Sequence, residues 1–271
     1  MTPSALELPS FSAGPWQMSF GERAVIEGVL AQLKPRLAIE VGTAEGGSLA
    51  RIAAHSERVI SFDLVEPHDR IKDLANVELR TGDSHLLLAR ELERLAAAGE
   101  EVDFVLIDGD HSAEGARADM EDVLASAAVR RTLVLAHDSL NPEVRRGLEE
   151  VDYGGFEKVA WVEMDFVGGY VPEGPPLRGE CWWGLALVVV DGRESFRAAH
   201  GGRRPRMVPL SELIWEAAER LRTQSGNGSA ASANSSADRA LVEEMQNSLS
   251  WRMTEPLRRL RLRARGRRMS R

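Results

Sequence analysis

Between Leu37 and about Asp191 the chain alternates short apolar runs of strand length with stretches whose apolar residues recur at helical spacing. That order is the one expected of a parallel sheet with helices on both faces. Seven runs qualify as strands: LAIEVG (Leu37 to Gly42), RVISFD (Arg58 to Asp63), VELRTG (Val77 to Gly82), VDFVLID (Val102 to Asp108), TLVLAHD (Thr132 to Asp138), EKVAWVEM (Glu157 to Met164) and WGLALVVVD (Trp183 to Asp191). Ahead of them, FGERAVIEGVLAQLKP reads as a helix from about Phe20 to Lys34, stopped by Pro35. The predicted class is α/β with a Rossmann-like sheet.

The pattern stops after about Thr223. SGNGSAASANSSAD offers no apolar residue large enough to anchor it and reads as a flexible linker over residues 223–238. The folded domain is therefore expected over 1–222, with a short helical pattern at Arg239 to Leu249 and a basic ending over the rest of 239–271. No internal repeat is present.

Composition narrows the class. A hydrophobic content of 43% over 271 residues suffices for a sizeable core. The single cysteine, Cys181, excludes an internal disulfide, and the N-terminus lacks the basic-then-apolar order of a secretory signal. The longest apolar run, GLALVVV at Gly184 to Val190, is far short of the roughly 20 residues that span a bilayer. A cytoplasmic protein is expected. Eight arginines and no acid lie between Leu257 and Arg271, so without them the formal net charge moves from −8 to about −16. An acidic body carries a basic end.

The first strand runs into EVGTAEGGS, where Gly42, Gly46 and Gly47 let the backbone turn tightly and approach a ligand before the next helix. The second strand ends in Asp63, about 20 residues on, where a carboxylate can accept both hydroxyls of a ribose. The third ends in TGDS, which puts Asp83 and Ser84 on the same carboxyl edge, the ligand-binding edge of open α/β sheets. Each acid also has a plainer reading: Glu40 as a solvated strand-end charge, Asp63 or Asp83 as a helix cap. Asp108 ends the fourth strand, and His137 with Asp138 ends the fifth, so the three converge on that edge as a plausible divalent-cation site. Asp110 reads as a cap of the helix beginning SAEGARADMEDVL, His111 as a loop histidine or a base, and Asp119 as a charge on a solvated helix face. His55, His68, His85 and His200 have no spacing argument.

The segments AIEVGTAEGGSLARIA, VISFDL, RTGDS, DFVLIDGDHSAEGARADMEDVL and LVLAHDSL together resemble the class I S-adenosylmethionine-dependent methyltransferases. They are most similar to the small-molecule O-methyltransferase branch that includes the macrolide-sugar enzymes and the cephalosporin hydroxylase group. The resemblance covers roughly Phe20 to Asp191. It implies a seven-stranded sheet with the last strand antiparallel, with Glu40 and Gly42 by the amino-acid part of S-adenosylmethionine, Asp63 on its ribose, Asp83 with Ser84 flanking the adenine, and Gly47 among the cofactor-binding residues. The resembling metal-dependent enzymes hold Mg²⁺ through an aspartate after the fourth strand and an acidic pair after the fifth. Here His137 replaces the first member of that pair, which favours Mn²⁺ or no metal over Mg²⁺. The macrolide-sugar enzymes use a histidine at the place of His111. That makes His111 the expected general base, with an ordinary pKa of about 6.5 leaving it able to accept a proton, and Asp108 the group that positions the acceptor.

DGD at Asp108 to Asp110 also resembles the metal motif of nucleotide-sugar glycosyltransferases, but EVGTAEGG, TGDS and the later HD have no place in that reading. A third class, a methyltransferase-like scaffold without catalysis, stays open on sequence. Between the sixth and seventh strands, DFVGGYVPEGPPLRGECWW reads as a mobile lid whose Tyr170, Trp182 and Trp183 can stack on a sugar or a flat aglycone. The ending SWRMTEPLRRLR is similar to C-terminal segments on proteins of bacterial surface-glycan assembly and favours a saccharide or glycan acceptor. The arginine-rich tail is suited to anionic lipid head groups or a protein partner, at roughly 1 kcal/mol per residue near a charged leaflet. A specific nucleic-acid partner is not expected of the acidic body, and homo-oligomers stay open.

Overall fold

The computed structural model describes residues 16–66, 68–173, 177–193 and 210–224, which all belong to one compact unit. The linker beyond Gln224, the 239–271 tail and His200 lie outside the described residues. The elements are α1 (Phe20–Leu33), β1 (Leu37–Val41), α2 (Gly47–His55), β2 (Arg58–Asp63), α3 (Asp69–Lys72), β3 (Val77–Thr81), α4 (Ser84–Ala97), β4 (Phe104–Ile107), α5 (Ala113–Ala125), β5 (Arg131–His137), α6 (Pro142–Glu149), a 3₁₀ turn (Tyr153–Gly155), β6 (Val159–Val167), β7 (Leu185–Asp191) and α7 (Leu210–Gln224). All seven expected strands are present. Among the described residues, no helix is long and apolar enough to cross a membrane.

The strands form one sheet in the order β3-β2-β1-β4-β5-β7-β6. The first five are parallel, and β7 pairs antiparallel with both β5 and β6. The expected antiparallel last strand is therefore found, inserted second from the edge. Alternation of side chains along each strand divides the core. Leu37, Ile39, Val41, Ile60, Phe62, Val105 and Ile107 face Leu88, Leu92, Met120, Val123 and Leu148 of α4 to α6. Their strand neighbours Ala38, Val59, Phe104 and Leu106 face Ile26, Leu30, Leu49 and Ile52 of α1 and α2. Each such aliphatic side chain, fully buried, contributes about 1.5–3 kcal/mol of transfer free energy. This two-sided burial explains why the strands read as continuous apolar runs.

Element ends differ from the sequence reading for local reasons. Lys34 takes a left-handed conformation (φ 46°) and closes α1 one residue early, its N–H bonding Leu30 O. Trp183 and Gly184 also have positive φ (64° and 92°), so β7 starts only at Leu185. Helix α7, which the sequence reading did not separate, is amphipathic, burying Ala218 while Glu216 and Arg220 face solvent.

Register places the site. Val41 lies opposite Phe62 on one side and Ile107 on the other, and Ile107 opposite Ala136. The carboxyl ends of β1, β2, β4 and β5 therefore finish level, and Gly42, Asp63, Asp108 and His137 share one edge. Chain connections leave β1 in opposite directions across the sheet, the switch point at which open α/β sheets form a ligand crevice.

Candidate active site

The turn after β1 is wound tightly. Gly42, Ala44 and Gly46 have φ of 91°, 46° and 80°, and Asp63 Oδ2 accepts from Thr43 N at 2.9 Å and Ala44 N at 2.8 Å. Asp63 Oδ1 accepts from Val65 N at 3.0 Å, so three of the roughly four acceptor positions of this carboxylate hold backbone. Glu40 is wholly buried beneath the turn, accepting from Ser48 Oγ at 2.6 Å and Ser61 Oγ at 2.7 Å. Burial pushes its carboxyl up to about 8 against those two hydrogen bonds. The solvated-charge reading of Glu40 thus gives way to that of a brace joining β1, β2 and α2. Asp83 caps α4, accepting from His85 N at 3.0 Å, and Ser84 is the first residue of that helix.

Beside this turn, five ionisable side chains from four segments meet. His137 Nδ1 lies 3.0 Å from Asp108 Oδ1 and 3.5 Å from Asp138 Oδ2, and its Nε2 lies 3.1 Å from Glu22 Oε1. His111 Nε2 lies 3.1 Å from Asp138 Oδ2 and 3.6 Å from Asp108 Oδ1. Asp138 reaches this position through a left-handed backbone (φ 55°), and its Oδ1 accepts from Trp183 N at 2.6 Å. Burial alone would lower both imidazoles, but the facing carboxylates outweigh it and push His111 up to about 10 and His137 well above its usual value. Burial would likewise raise Asp108 and Asp138, yet the histidines hold both below the ordinary carboxylate range. The facing carboxylates thus favour the protonated form of His111, a direction the sequence did not give.

The cluster abuts the glycine turn. A Cβ on Gly42 would stand 2.0 Å from Asp108 O, so only glycine lets β1 turn against β4 here.

Residues 39–139 match the family described as a methyltransferase domain. The matched residues hold the parallel strands β1 to β5 of the sheet. No curated protein matches the chain in sequence. Among solved structures, the chain is similar to an O-methyltransferase from Bacillus cereus in complex with SAH (19% identity, covering 62% of this chain and 79% of that one, TM-score 0.43). It is also similar to the O-methyltransferase TomG from Streptomyces achromogenes involved in tomaymycin synthesis (16%, 65% and 82%, 0.45) and to CalS11, a TDP-rhamnose 3′-O-methyltransferase of calicheamicin biosynthesis (15%, 62% and 78%, 0.43).

Beside the cluster stands an aromatic wall. Tyr170 and Trp182 exchange backbone hydrogen bonds at 3.0 and 3.2 Å across the loop between β6 and β7. Trp182 stands edge-on to His111 with ring centroids 5.8 Å apart, and Tyr170 edge-on to Trp183 at 6.1 Å. On the other side, Asp119 is wholly buried rather than solvated, as Gly109 and α4 close over it. Its Oδ1 lies 3.3 Å from His85 Nδ1 and accepts from Ser84 Oγ at 3.4 Å. This pairing with Asp119 pushes His85 up to about 9, although partial burial opposes it. Asp110 braces the turn ahead of α5 by accepting from Ser112 N, while Ser112 itself is the helix cap.

The structure brings Asp108, His111, His137 and Asp138 together and sets Glu40, Gly42, Gly47, Asp63, Asp83 and Ser84 along the adjoining turns. Sequence reasoning missed Glu22. Its signal was the capping box Ser19-Phe20-Gly21-Glu22, legible as a helix start but not as part of a site.

Proposed function

We propose that this methyltransferase uses S-adenosylmethionine to methylate a hydroxyl of a sugar, glycan or glycosylated small molecule, with a divalent cation held by Asp108, His137 and Asp138. The observation that carries the reading is the contact of Gly42 with Asp108. It joins a turn suited to a nucleoside, braced by Asp63, to a buried acid and histidine cluster suited to a hydroxyl acceptor. Donor and acceptor sides are then within reach of one another.

S-adenosylmethionine, when bound, supplies a methyl carbon activated by its sulfonium. Glu40, Gly42 and Gly47 would border its amino-acid part, Asp63 its ribose, and Asp83 with Ser84 its adenine. Oxygen attacks that carbon faster as its O–H proton leaves, and His111 faces the place where the acceptor would sit. In the reading proposed here His111 would accept that proton through Nε2. His111 can do so once the charges of Asp108 and Asp138 are engaged by a cation, because those charges keep it protonated.

The donor set fits a cation. Ligating atoms of Asp108, His137 and Asp138 lie within 4.8 Å of one another, and separations of 3.0 and 3.5 Å suit adjacent ligands at about 2.1 Å from a metal. On the side of those carboxylates, His111 Nε2 is buried without a well-aligned hydrogen bond, as expected of a cluster organised around a charge. Such an ion would orient acceptor oxygens and lower their pKa. A set of one nitrogen and two carboxylates suits Mn²⁺ better than Mg²⁺.

Titration calorimetry with S-adenosylmethionine, followed by methyl transfer to a panel of free and nucleotide-linked sugars with and without Mn²⁺, tests the reading. Binding that is lost on Asp63→Ala and transfer to a sugar hydroxyl are expected. No heat with S-adenosylmethionine but clear binding of NADH or a sugar nucleotide would overturn it. Donor binding with no transfer to any acceptor would reduce it to a binding scaffold.

A further inference from the structure

Glu22 belongs to α1, outside the matched residues 39–139, and its side chain is wholly buried. A capping-box glutamate needs one oxygen, the one that reaches back to the N-cap N–H. Here Oε2 does that, accepting from Ser19 N at 2.6 Å. Oε1 points the other way, accepting from Gly184 N at 2.6 Å and standing 3.1 Å from His137 Nε2 at ion-pair separation, off the line of an ideal hydrogen bond. The opposite ring nitrogen, Nδ1, faces Asp108 and Asp138. An imidazole that ligates a cation through Nδ1 must keep its proton on Nε2, and a carboxyl beside Nε2 selects that tautomer.

We infer that Glu22 is a positioning residue of the cation site: it holds the Nε2 proton of His137 so that the Nδ1 lone pair faces Asp108 and Asp138. It also ties that ring, through Gly184 N, to the end of the loop carrying Tyr170, Trp182 and Trp183. The inference rests on the cation reading above.

The test is Mn²⁺ binding to the metal-free full-length protein, followed by electron paramagnetic resonance, with thermal midpoints measured in parallel. Glu22→Gln keeps the shape but cannot accept from Ser19 N, Gly184 N and His137 Nε2 together. It is expected to weaken Mn²⁺ binding by about 10–100-fold. Ser19→Ala removes the other half of the capping box without touching His137 and serves as the structural control, with a lower thermal midpoint and Mn²⁺ affinity close to the parent. If Glu22→Gln does not fold, Glu22→Asp, which withdraws the acid by one methylene, is measured against the same criteria. Parent-like Mn²⁺ affinity in the Glu22 variant, or equal loss in it and Ser19→Ala, overturns the role of Glu22 alone. Absence of Mn²⁺ binding by the parent overturns the cation reading and this inference together.

Discussion

Two buried side chains carry opposite lessons about charge. Glu40 has its carboxyl pushed up to about 8, against an ordinary value near 4.3 in an unfolded chain. Between those limits the unfolded chain releases the proton and the folded one keeps it, so stability falls with rising pH across that window and levels off above about 8. Glu40→Gln has no proton to release. The stability of Glu40→Gln relative to the parent should therefore increase from pH 5 to 8 and stay constant beyond, measured by urea denaturation at each pH; a flat difference would show that Glu40 ionises freely. His111 is the reverse case: Asp108 and Asp138 favour its protonated form, and the proposed role as proton acceptor depends on what engages those acids. His111→Asn should lower the methyl-transfer rate about 10²-fold or more while leaving S-adenosylmethionine affinity unchanged. Near-normal turnover would return His111 to a structural role.

At the scale of elements, turns decide more than helices do. Gly42→Ala forces a Cβ against Asp108 O and should cost about 3 kcal/mol or more, seen as a lower urea midpoint. Gly28→Ala is its counterpart, since a Cβ inside α1 meets nothing within 4 Å and should stabilise by about 0.5–1 kcal/mol. The strands were legible because a strand buried on both faces must be apolar throughout, and the glycine turn because only glycine permits its backbone. Asp108, His111, His137 and Asp138 were legible for a topological reason: parallel strands that start level end level. What the sequence hid is what tertiary packing sets. Asp119 lies on a helix whose periodicity reads as solvated, yet α4 and Gly109 cover it. Glu22 is 115 residues from His137 and carries a complete local explanation as a cap, which conceals its second contact. The pKa of His111 depends on two neighbours whose distances no spacing rule supplies.

For the molecule as a whole, the proposed cation would link folding to ligand through the ionisable cluster. A cation that binds the native cluster and not the unfolded chain should add about 2.7 kcal/mol of stability at one hundred times its dissociation constant. A higher thermal midpoint with Mn²⁺, reversed by EDTA and absent in Asp138→Ala, is the expected result; equal midpoints would argue against a resident ion. The late insertion of β7 has a further consequence for how the protein is made. The ribosome delivers β5 and β6 before the strand that lies between them, so β5 waits as an open edge able to pair with other chains. Gly184 meets Glu22 across 162 positions at the entrance to that same strand. A nascent chain halted before Leu185 therefore owns its glycine turn but lacks the strand between β5 and β6, and synthesis of that strand covers the exposed edge next to the contact of Gly184 with Glu22.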